Sequence, residues 1–214
     1  MSAVGRWLGS LRRRWMLYHL VDAHFSFMYD AAPDGEWVTL DCETTGLNVR
    51  KDKIVSIGAV RIVGNRLLTS ERLELLVRPD RGMTGDSVRV HRLRESDVAK
   101  GLTPEQAMRR LLDFIGSRPL VGYFLEFDVA MLNREIWPML GVRLPQRKIE
   151  VSAMYYDFKN RQLPAAQRGG DIDLRFATMM NDLGLPLLDA HDAINDAVMA
   201  GLAFVKLRGL LHRP

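Results

Sequence analysis

The order of predicted strands and helices is the feature that most constrains the fold of this chain. Two apolar, β-rich segments at residues 37–42 and 54–63 are followed by a third at 66–77, and Gly64 and Asn65 form a tight turn before it. Alternating helices and strands follow this three-stranded antiparallel unit. This order predicts an α/β fold with a mixed sheet and helices packed on its faces.

The second half of the chain contains two further predicted strands, at residues 119–124 and 148–153. A capping box formed by Thr103 and Gln106, with a proline between them, predicts a helix from residue 104 onward. Three more helices are predicted, at residues 127–140, 173–183 and 192–210. Asp173 is predicted to cap the second of these helices. Residues 160–170 are polar and end in two glycines, so they are predicted to form a mobile surface loop.

Composition excludes several classes of protein. The chain has 214 residues, the size of one large α/β domain, and its single cysteine, Cys42, cannot form an internal disulfide. This cysteine usage fits a reducing compartment and predicts a cytoplasmic location. The longest apolar runs are far shorter than the roughly 20 residues that span a bilayer, so we expect no transmembrane segment.

The basic charge is concentrated at the N-terminus. Residues 1–20 contain four arginines and no acid, so basic and acidic residues balance in the rest of the chain. The first 20 residues predict a basic amphipathic helix, and we divide the chain into an arm with its linker at 1–35 and a folded domain at 36–214. Three roles stay open for the arm: packing on its own domain or another protomer, peripheral contact with an anionic membrane, or contact with a DNA backbone.

Two acidic residues share one side of the first predicted strand. Strand alternation places Asp41 and Glu43 on one face and Cys42 on the other. Two carboxylates about 4 Å apart repel by roughly 4 kcal/mol at an effective dielectric near 20, so a strand end that holds them together favours a bound cation. Solvated surface charge is the alternative, but the turn at residues 44–46 lies at the strand's carboxyl end, the usual edge for an α/β site.

Further candidate residues lie at the starts of two helices. Asp128 follows the fourth strand, where a role as a helix-terminal dipole partner is the alternative to a catalytic one. His191 and Asp196 flank the start of the last helix, and they converge only if His191 lies on the loop before it. Asp192 is then the natural N-cap.

These residues resemble a known family. Residues 41–47 (DCETTGL), 127–128 (FD) and 191–196 (HDAIND), in this order, resemble the three motifs of the DEDDh 3′–5′ exonucleases, which include the epsilon subunit of bacterial DNA polymerase III and ribonuclease T. The resemblance covers about residues 36–207. It implies a ribonuclease H-like fold, a mixed five-stranded sheet with helices on both faces. It also implies two divalent metal ions and release of nucleoside 5′-monophosphates from a 3′ end.

The resemblance also implies a role for each motif residue. Hard carboxylate oxygens suit Mg²⁺ or Mn²⁺. Asp41 would bridge both ions, Glu43 and Asp196 would complete the hydrolytic one, and Asp128 would hold the other. His191 would be the general base that takes a proton from the attacking water.

The substrate side departs from the family pattern. Tyr123 and Phe124 stand where relatives often carry His-Asn. Phe124 either stacks on a base or sugar, or packs in the core. The predicted substrate-binding residues are Thr44, Thr45, Leu47, His91 and Phe124. For His91 a purely structural role is the alternative.

The leading hypothesis from the sequence is therefore a metal-dependent 3′–5′ exonuclease acting on single-stranded DNA ends. An RNA 3′-end trimmer is the first alternative, because the attacked phosphodiester does not require a 2′-hydroxyl. A non-catalytic nucleic-acid or polymerase-binding module on the same fold is the second. A polymerase or another replication or repair protein is the expected protein partner, and the sequence leaves the oligomeric state open.

Overall fold

The computed structural model describes residues 13–79 and 93–211. The first half contains helix α1 (residues 13–19), a 3₁₀ helix (Ala23–Tyr29), strands β1 (Glu36–Thr44), β2 (Ile54–Val63) and β3 (Arg66–Leu76), and helices α2 (Glu95–Val98) and α3 (Pro104–Ile115). The second half contains β4 (Leu120–Gly122), α4 (Leu125–Leu140), β5 (Lys148–Glu150), α5 (Val151–Gln162), a 3₁₀ turn (Ala165–Gln167), α6 (Phe176–Asp182) and α7 (Ala193–Leu211).

The sheet has five strands in the order β3-β2-β1-β4-β5. β1, β2 and β3 pair antiparallel, whereas β4 pairs parallel with β1 and β5 pairs parallel with β4. The turn between β2 and β3 contains Gly64 at a φ of 60°, a left-handed conformation that glycine adopts without a steric penalty. The predicted mixed five-stranded sheet is confirmed.

Helices cover both faces of the sheet. On one face α3 and α4 bury Leu111, Leu112, Leu132 and other apolar side chains against β1. On the opposite face α5, α6 and α7 bury a second apolar cluster that includes Phe204. Burying apolar surface on both faces explains why β2 is almost continuously apolar along its length.

Small residues bring α7 close to the centre of the sheet. Ala193, Ala197 and Gly201 lie four residues apart, on one face of the helix. The buried hydroxyl of Thr39 in β1 donates a hydrogen bond of 2.8 Å to the Ala197 carbonyl. A Cβ atom on Gly201 would lie 2.7 Å from Leu67 Cδ1, so a larger residue there would require the Leu67 side chain to shift. This packing fixes the position of the helix start.

The described part of the N-terminal arm packs on the domain. Phe25 and Met28 are buried in the same apolar cluster as α3 and α4. The Asp22 carboxylate accepts a hydrogen bond of 2.8 Å from Arg109 in α3. These contacts favour the role in which the arm docks on its own domain. The predicted amphipathic helix lies mostly outside the described residues, and the division at residue 35 stays a prediction.

Three local predictions for the second half were wrong. The predicted strand at residues 148–153 ends at Glu150, whose carboxylate accepts a hydrogen bond from the Ser152 amide and caps α5. That helix also occupies the beginning of the predicted loop at 160–170. Helix α6 begins at Phe176 without a side-chain cap, so Asp173 does not cap it. The Asp173 carboxylate instead accepts hydrogen bonds from Arg175 and Thr178.

Candidate active site

The first part of the site is the carboxyl end of β1. Cys42 is buried in the apolar core on one face, and Asp41 and Glu43 lie on the other face, as the alternation predicted. β4 is only three residues long, and its pairing with β1 ends at Thr39. The backbone beyond that point is therefore open on one side, next to the start of α4.

Asp128 occupies this opening. It lies in the first turn of α4, and only 3% of its surface is exposed. Its carboxylate faces the Cys42 backbone, beyond the end of the β1–β4 pairing. Asp128 therefore lies next to β1 and beside the Asp41 carboxylate.

The start of α7 carries the remaining motif residues. The Asp192 carboxylate accepts hydrogen bonds from the backbone amides of Ile194 and Asn195, so its predicted role as N-cap is confirmed. His191 lies before the helix with a φ of 65°, and its amide donates a hydrogen bond of 3.1 Å to Asp196 Oδ2. A ring nitrogen of the exposed His191 also lies within 4.8 Å of an Asp196 carboxylate oxygen, so the two groups lie on the same side of the helix start.

Gly58 allows α7 to reach this position, and the sequence analysis did not identify it. Gly58 pairs with Asp41 in the β1–β2 register, and a Cβ atom on it would lie 2.3 Å from the Ala193 carbonyl group. The signal was a glycine inside an otherwise apolar strand, which often marks the close approach of another backbone.

All five predicted catalytic residues line one open pocket with a volume of about 700 Å³. Within it, Glu43, His191 and Asp196 each offer one metal-ligand atom, and these three atoms lie within 4.8 Å of one another. Asp41 and Asp128 line the same pocket. Of the described residues that line it, none is a lysine or an arginine.

The carboxylates raise one another's pKa values. Burial, followed by the charges of Asp128 and Asp196, raises the pKa of Asp41 well above its ordinary value. Burial and the Asp196 charge raise the pKa of Glu43 to about 7. Burial also raises the pKa of Asp128 well above its ordinary value, although the hydrogen bond from Cys42 opposes this shift. Among residues 13–79 and 93–211, the pocket is therefore an acidic cluster without a compensating lysine or arginine.

This donor set fits divalent metal ions. Asp196 Oδ1 is buried and finds no hydrogen-bond partner within the described part of the chain. Burial raises the pKa of Asp196 as well, and the His191 backbone hydrogen bond opposes that shift. A buried, unpartnered carboxylate oxygen among other carboxylates is costly unless a cation binds it. All-oxygen donors of this kind are typical of Mg²⁺ or Mn²⁺ sites.

Of the predicted substrate residues in the β1–β2 loop, Thr44 and Thr45 form hydrogen bonds within the loop, whereas Leu47 is exposed to solvent. The Thr44 hydroxyl donates to the Gly46 carbonyl at 2.7 Å, and the Thr45 hydroxyl donates to Asp52 at 3.2 Å. These hydroxyls hold the loop, whereas Leu47 is 86% exposed at the rim of the pocket. His91 lies outside the described residues.

Phe124 also lies at the pocket. Its side chain is 69% exposed, so the alternative that placed it in the core is wrong. Its backbone adopts a left-handed conformation with a φ of 55°, and its amide donates to Glu150 Oε1 at 3.2 Å. Neighbouring Tyr123 stacks on Phe176 and donates to the Leu174 carbonyl, so its hydroxyl is already committed.

The family is identified by comparison with known proteins. The exonuclease family named for RNase T matches residues 38–204. The chain belongs to this exonuclease family. The predicted resemblance to DEDDh exonucleases and the predicted enzyme class are confirmed.

Individual relatives are replicative proteins. The chain is 28% identical over 180 residues to the DNA polymerase III epsilon subunit of Aquifex aeolicus, a match that covers 84% of each protein. It is 26% identical to a PolC-type DNA polymerase III of Caldanaerobacter subterraneus, where the match covers 83% of this chain and 12% of the polymerase. The chain therefore spans only a small part of the PolC-type relatives.

Solved structures share the fold. Escherichia coli exonuclease I in its zinc-bound complex with single-stranded DNA superposes with a TM-score of 0.68 at 16% identity, covering 84% of this chain and 41% of that one. Exonuclease X with 5′-overhanging duplex DNA superposes with a TM-score of 0.61 at 21% identity, and the match covers 81% of this chain and 91% of exonuclease X. The predicted ribonuclease H-like architecture is confirmed.

Among the helices that the structure describes, none has both the length and the apolar character needed to cross a bilayer.

Proposed function

We propose that this protein removes nucleoside 5′-monophosphates from the 3′ end of single-stranded DNA. The observation that carries the proposal is the meeting of four carboxylates and one imidazole, from three distant parts of the chain, in a single open pocket. The replicative relatives and the exonuclease I complex with single-stranded DNA support DNA as the substrate.

The carboxylates would hold two divalent ions, Mg²⁺ or Mn²⁺. Glu43 and Asp196, whose ligand atoms lie within 4.8 Å of each other, would contribute to one ion. Asp128 would contribute to the other, and Asp41 would serve both. Bound ions of this kind supply positive charge to the phosphodiester and make water a better nucleophile at neutral pH.

His191 would act as the general base. Its exposed ring lies on the loop before α7, with one nitrogen within 4.8 Å of ligand oxygens from Glu43 and Asp196. A ring nitrogen in this place can accept the proton of the attacking water and release it to solvent. The Asp196 contact is to the His191 amide, so it holds the loop through the backbone and does not occupy a ring nitrogen.

Leu47 and Phe124 would contact the terminal nucleotide. Both side chains are largely exposed, although they line the same pocket as the acidic residues. An exposed phenyl ring offers a stacking surface to any base, so this contact would favour unpaired 3′ ends without sequence preference. Thr44 and Thr45 would act through the backbone of their turn.

A replicative polymerase is the proposed protein partner, which would place the protein in the cytoplasm. The epsilon and PolC-type relatives support this proposal. Co-purification of the tagged full chain with the host polymerase tests it. Absence of the polymerase from a cross-linked preparation would contradict it.

Trimming of a 5′-labelled oligonucleotide tests the reaction. We expect a Mg²⁺-dependent ladder of shortened products, reduced at least about 100-fold in rate by Asp41→Ala. Asp157→Asn, which alters an exposed acid outside the pocket, is the matched control. A matched RNA oligonucleotide separates the DNA and RNA alternatives, and absence of metal-dependent trimming on both would contradict the proposal.

A further inference from the structure

A second depression lies on the outer side of α4. Its volume is about 550 Å³, and its lining includes Arg50, Arg134, Trp137, Arg143 and Lys148. We call this depression the basic groove. Four cations and one aromatic side chain in a single groove are typical of a surface that binds single-stranded nucleic acid.

Two of these cations have no acidic partner among the residues that the structure describes. Arg50 and Arg143 are both exposed, and neither forms an ion pair with any residue in the two described ranges. Lys148 binds Glu126 at 2.6 Å. Arg134 is committed to the backbone, because it donates to the carbonyls of Val49 and Asp52. Arg50 and Arg143 are therefore the cations available to an anionic ligand.

Trp137 supplies an aromatic face beside this charge. The side chain lies near the end of α4 and is 54% exposed, although tryptophan is usually well buried. The Arg143 guanidinium lies over the ring, 5.7 Å from its centroid. An indole and a guanidinium side by side can stack on a base and contact its phosphate.

The groove is continuous with the active-site pocket. A shallow depression over the β1–β2 loop is lined by residues 47–50 and Asp52. It shares Leu47 and Asp52 with the active-site pocket, and Val49 and Arg50 with the basic groove. The hydrogen bonds from Arg134 hold this loop between the two sites. The shared lining residues place the loop depression between the pocket and the groove, on the route that a strand with its 3′ end in the pocket would take toward Trp137.

We propose that the basic groove binds the upstream, 5′ part of the single strand whose 3′ end occupies the active site. This inference rests on the proposed function. Arg50 and Arg143 contact backbone phosphates, and Trp137 stacks on an upstream base. An acidic peptide would match the charge alone, whereas a nucleic-acid strand also accounts for the exposed indole and for the continuity with the pocket.

The test compares short and long substrates. Arg50→Ala/Arg143→Ala and Trp137→Ala are each expected to raise KM about tenfold on a 20-nucleotide strand and to leave dinucleotide hydrolysis unchanged. Trp137→Phe, which keeps an aromatic face, should restore most of the affinity. Arg72→Ala/Arg110→Ala, which replaces two exposed arginines outside the groove, is the control that removes the same charge as the double arginine variant.

Binding of a fluorescein-labelled strand in EDTA gives a readout that needs no hydrolysis. The salt slope of log affinity should fall by about 1.4 in the double arginine variant, since each phosphate contact on a single strand contributes roughly 0.7. If the arginine substitutions weaken binding of the strand but the wild type trims neither DNA nor RNA, the proposed function is wrong and the basic groove is still a binding site for single strands. Trimming of the long strand by the variants with wild-type KM would overturn the inference. A second outcome would also overturn it: a poly-glutamate peptide competes for the groove, the arginine substitutions abolish this competition, and the affinity for DNA stays unchanged.

Discussion

Gly58 and Ala193 pack backbone against backbone, with no space between them for a side chain. A Cβ atom on Gly58 would lie 2.3 Å from the carbonyl carbon of Ala193 and 2.4 Å from the Ile194 nitrogen. Gly58 pairs with Asp41 in the sheet, and Ala193 begins α7 between His191 and Asp196. Together with the packing of Ala197 and Gly201 on the sheet, this contact therefore sets the distance between the first and third motifs.

We predict that Gly58→Ala displaces the start of α7 and impairs the active site. The clashing atoms belong to the backbone, which cannot rotate away as a flexible side chain would. We expect about 1–3 kcal/mol lower stability, from the strain of overpacking, and a loss of activity approaching 100-fold, because catalysis tolerates little misplacement. Urea unfolding and the rate of oligonucleotide trimming measure the two effects.

Gly209→Ala is the matched control, because Gly209 lies in α7, the helix that Gly58 contacts. A Cβ atom there meets no heavy atom within 4 Å, and replacing an exposed helical glycine by alanine stabilises by about 0.5–1 kcal/mol. This variant should keep wild-type activity. Wild-type trimming by Gly58→Ala would show that α7 is not held in place by this contact.

Much of the fold could be predicted because its signals are local. The strands are apolar runs that end at turn residues, and the Thr103 capping box marks the start of α3. Helix α5 was missed because only Val151 and Tyr155 of its residues are buried, so it lacks the apolar periodicity on which helix prediction depends. Its cap, Glu150, also ends a strand, and sequence alone does not locate such a boundary.

The predicted motif residues do line one pocket, because the fold brings the ends of β1, β4 and the loop before α7 together. The roles of Gly58 and Phe124 were harder to predict. A glycine inside an apolar strand signals that another backbone approaches closely, but it does not identify Ala193, which is distant in sequence, as the contact. Phe124 is an apolar residue next to a buried strand, where the core is the usual place for it. Its left-handed backbone conformation instead directs the side chain toward solvent.

The acidic cluster predicts an unusual dependence of stability on pH in the metal-free protein. The raised pKa values mean that the folded state holds protons more tightly than the unfolded state, so stability is greatest below the unfolded pKa values and falls as pH rises. For Glu43 this decrease occurs between pH 4.5 and about pH 7, and the free energy of unfolding falls by an amount on the order of 3 kcal/mol.

Thermal unfolding in EDTA between pH 4.5 and 8 measures this effect. The melting temperature should decrease across the range, and Glu43→Gln should flatten the decrease. Added Mg²⁺ should raise the melting temperature most at pH 8, where the carboxylates are charged. A melting temperature that rises with pH in EDTA, in both the wild type and Glu43→Gln, would contradict the assigned shifts.

Asp128→Asn should separate stability from activity. Asparagine keeps the size and polarity of the side chain beside the Cys42 backbone, while the negative charge next to Asp41 is lost. We expect a higher melting temperature than wild type in EDTA at pH 8, a smaller stabilisation by Mg²⁺, and trimming reduced at least about 100-fold. Calorimetric titration with Mn²⁺ should show weaker binding. A variant that binds Mn²⁺ as the wild type does would exclude Asp128 from the metal site.

Phe124 offers the sharpest test of substrate contact, because its exposed ring contributes little to the core. Replacing it by alanine should change stability by no more than about 0.5 kcal/mol, since 69% of its surface is already in solvent. Loss of base stacking should raise KM on single-stranded DNA about tenfold, whereas Phe124→Trp should restore it. Phe124→Gly should lose the same affinity while relieving the left-handed backbone, whose φ of 55° suits glycine. An alanine variant with wild-type KM, measured by initial rates over a range of oligonucleotide concentrations, would remove the ring from the binding site.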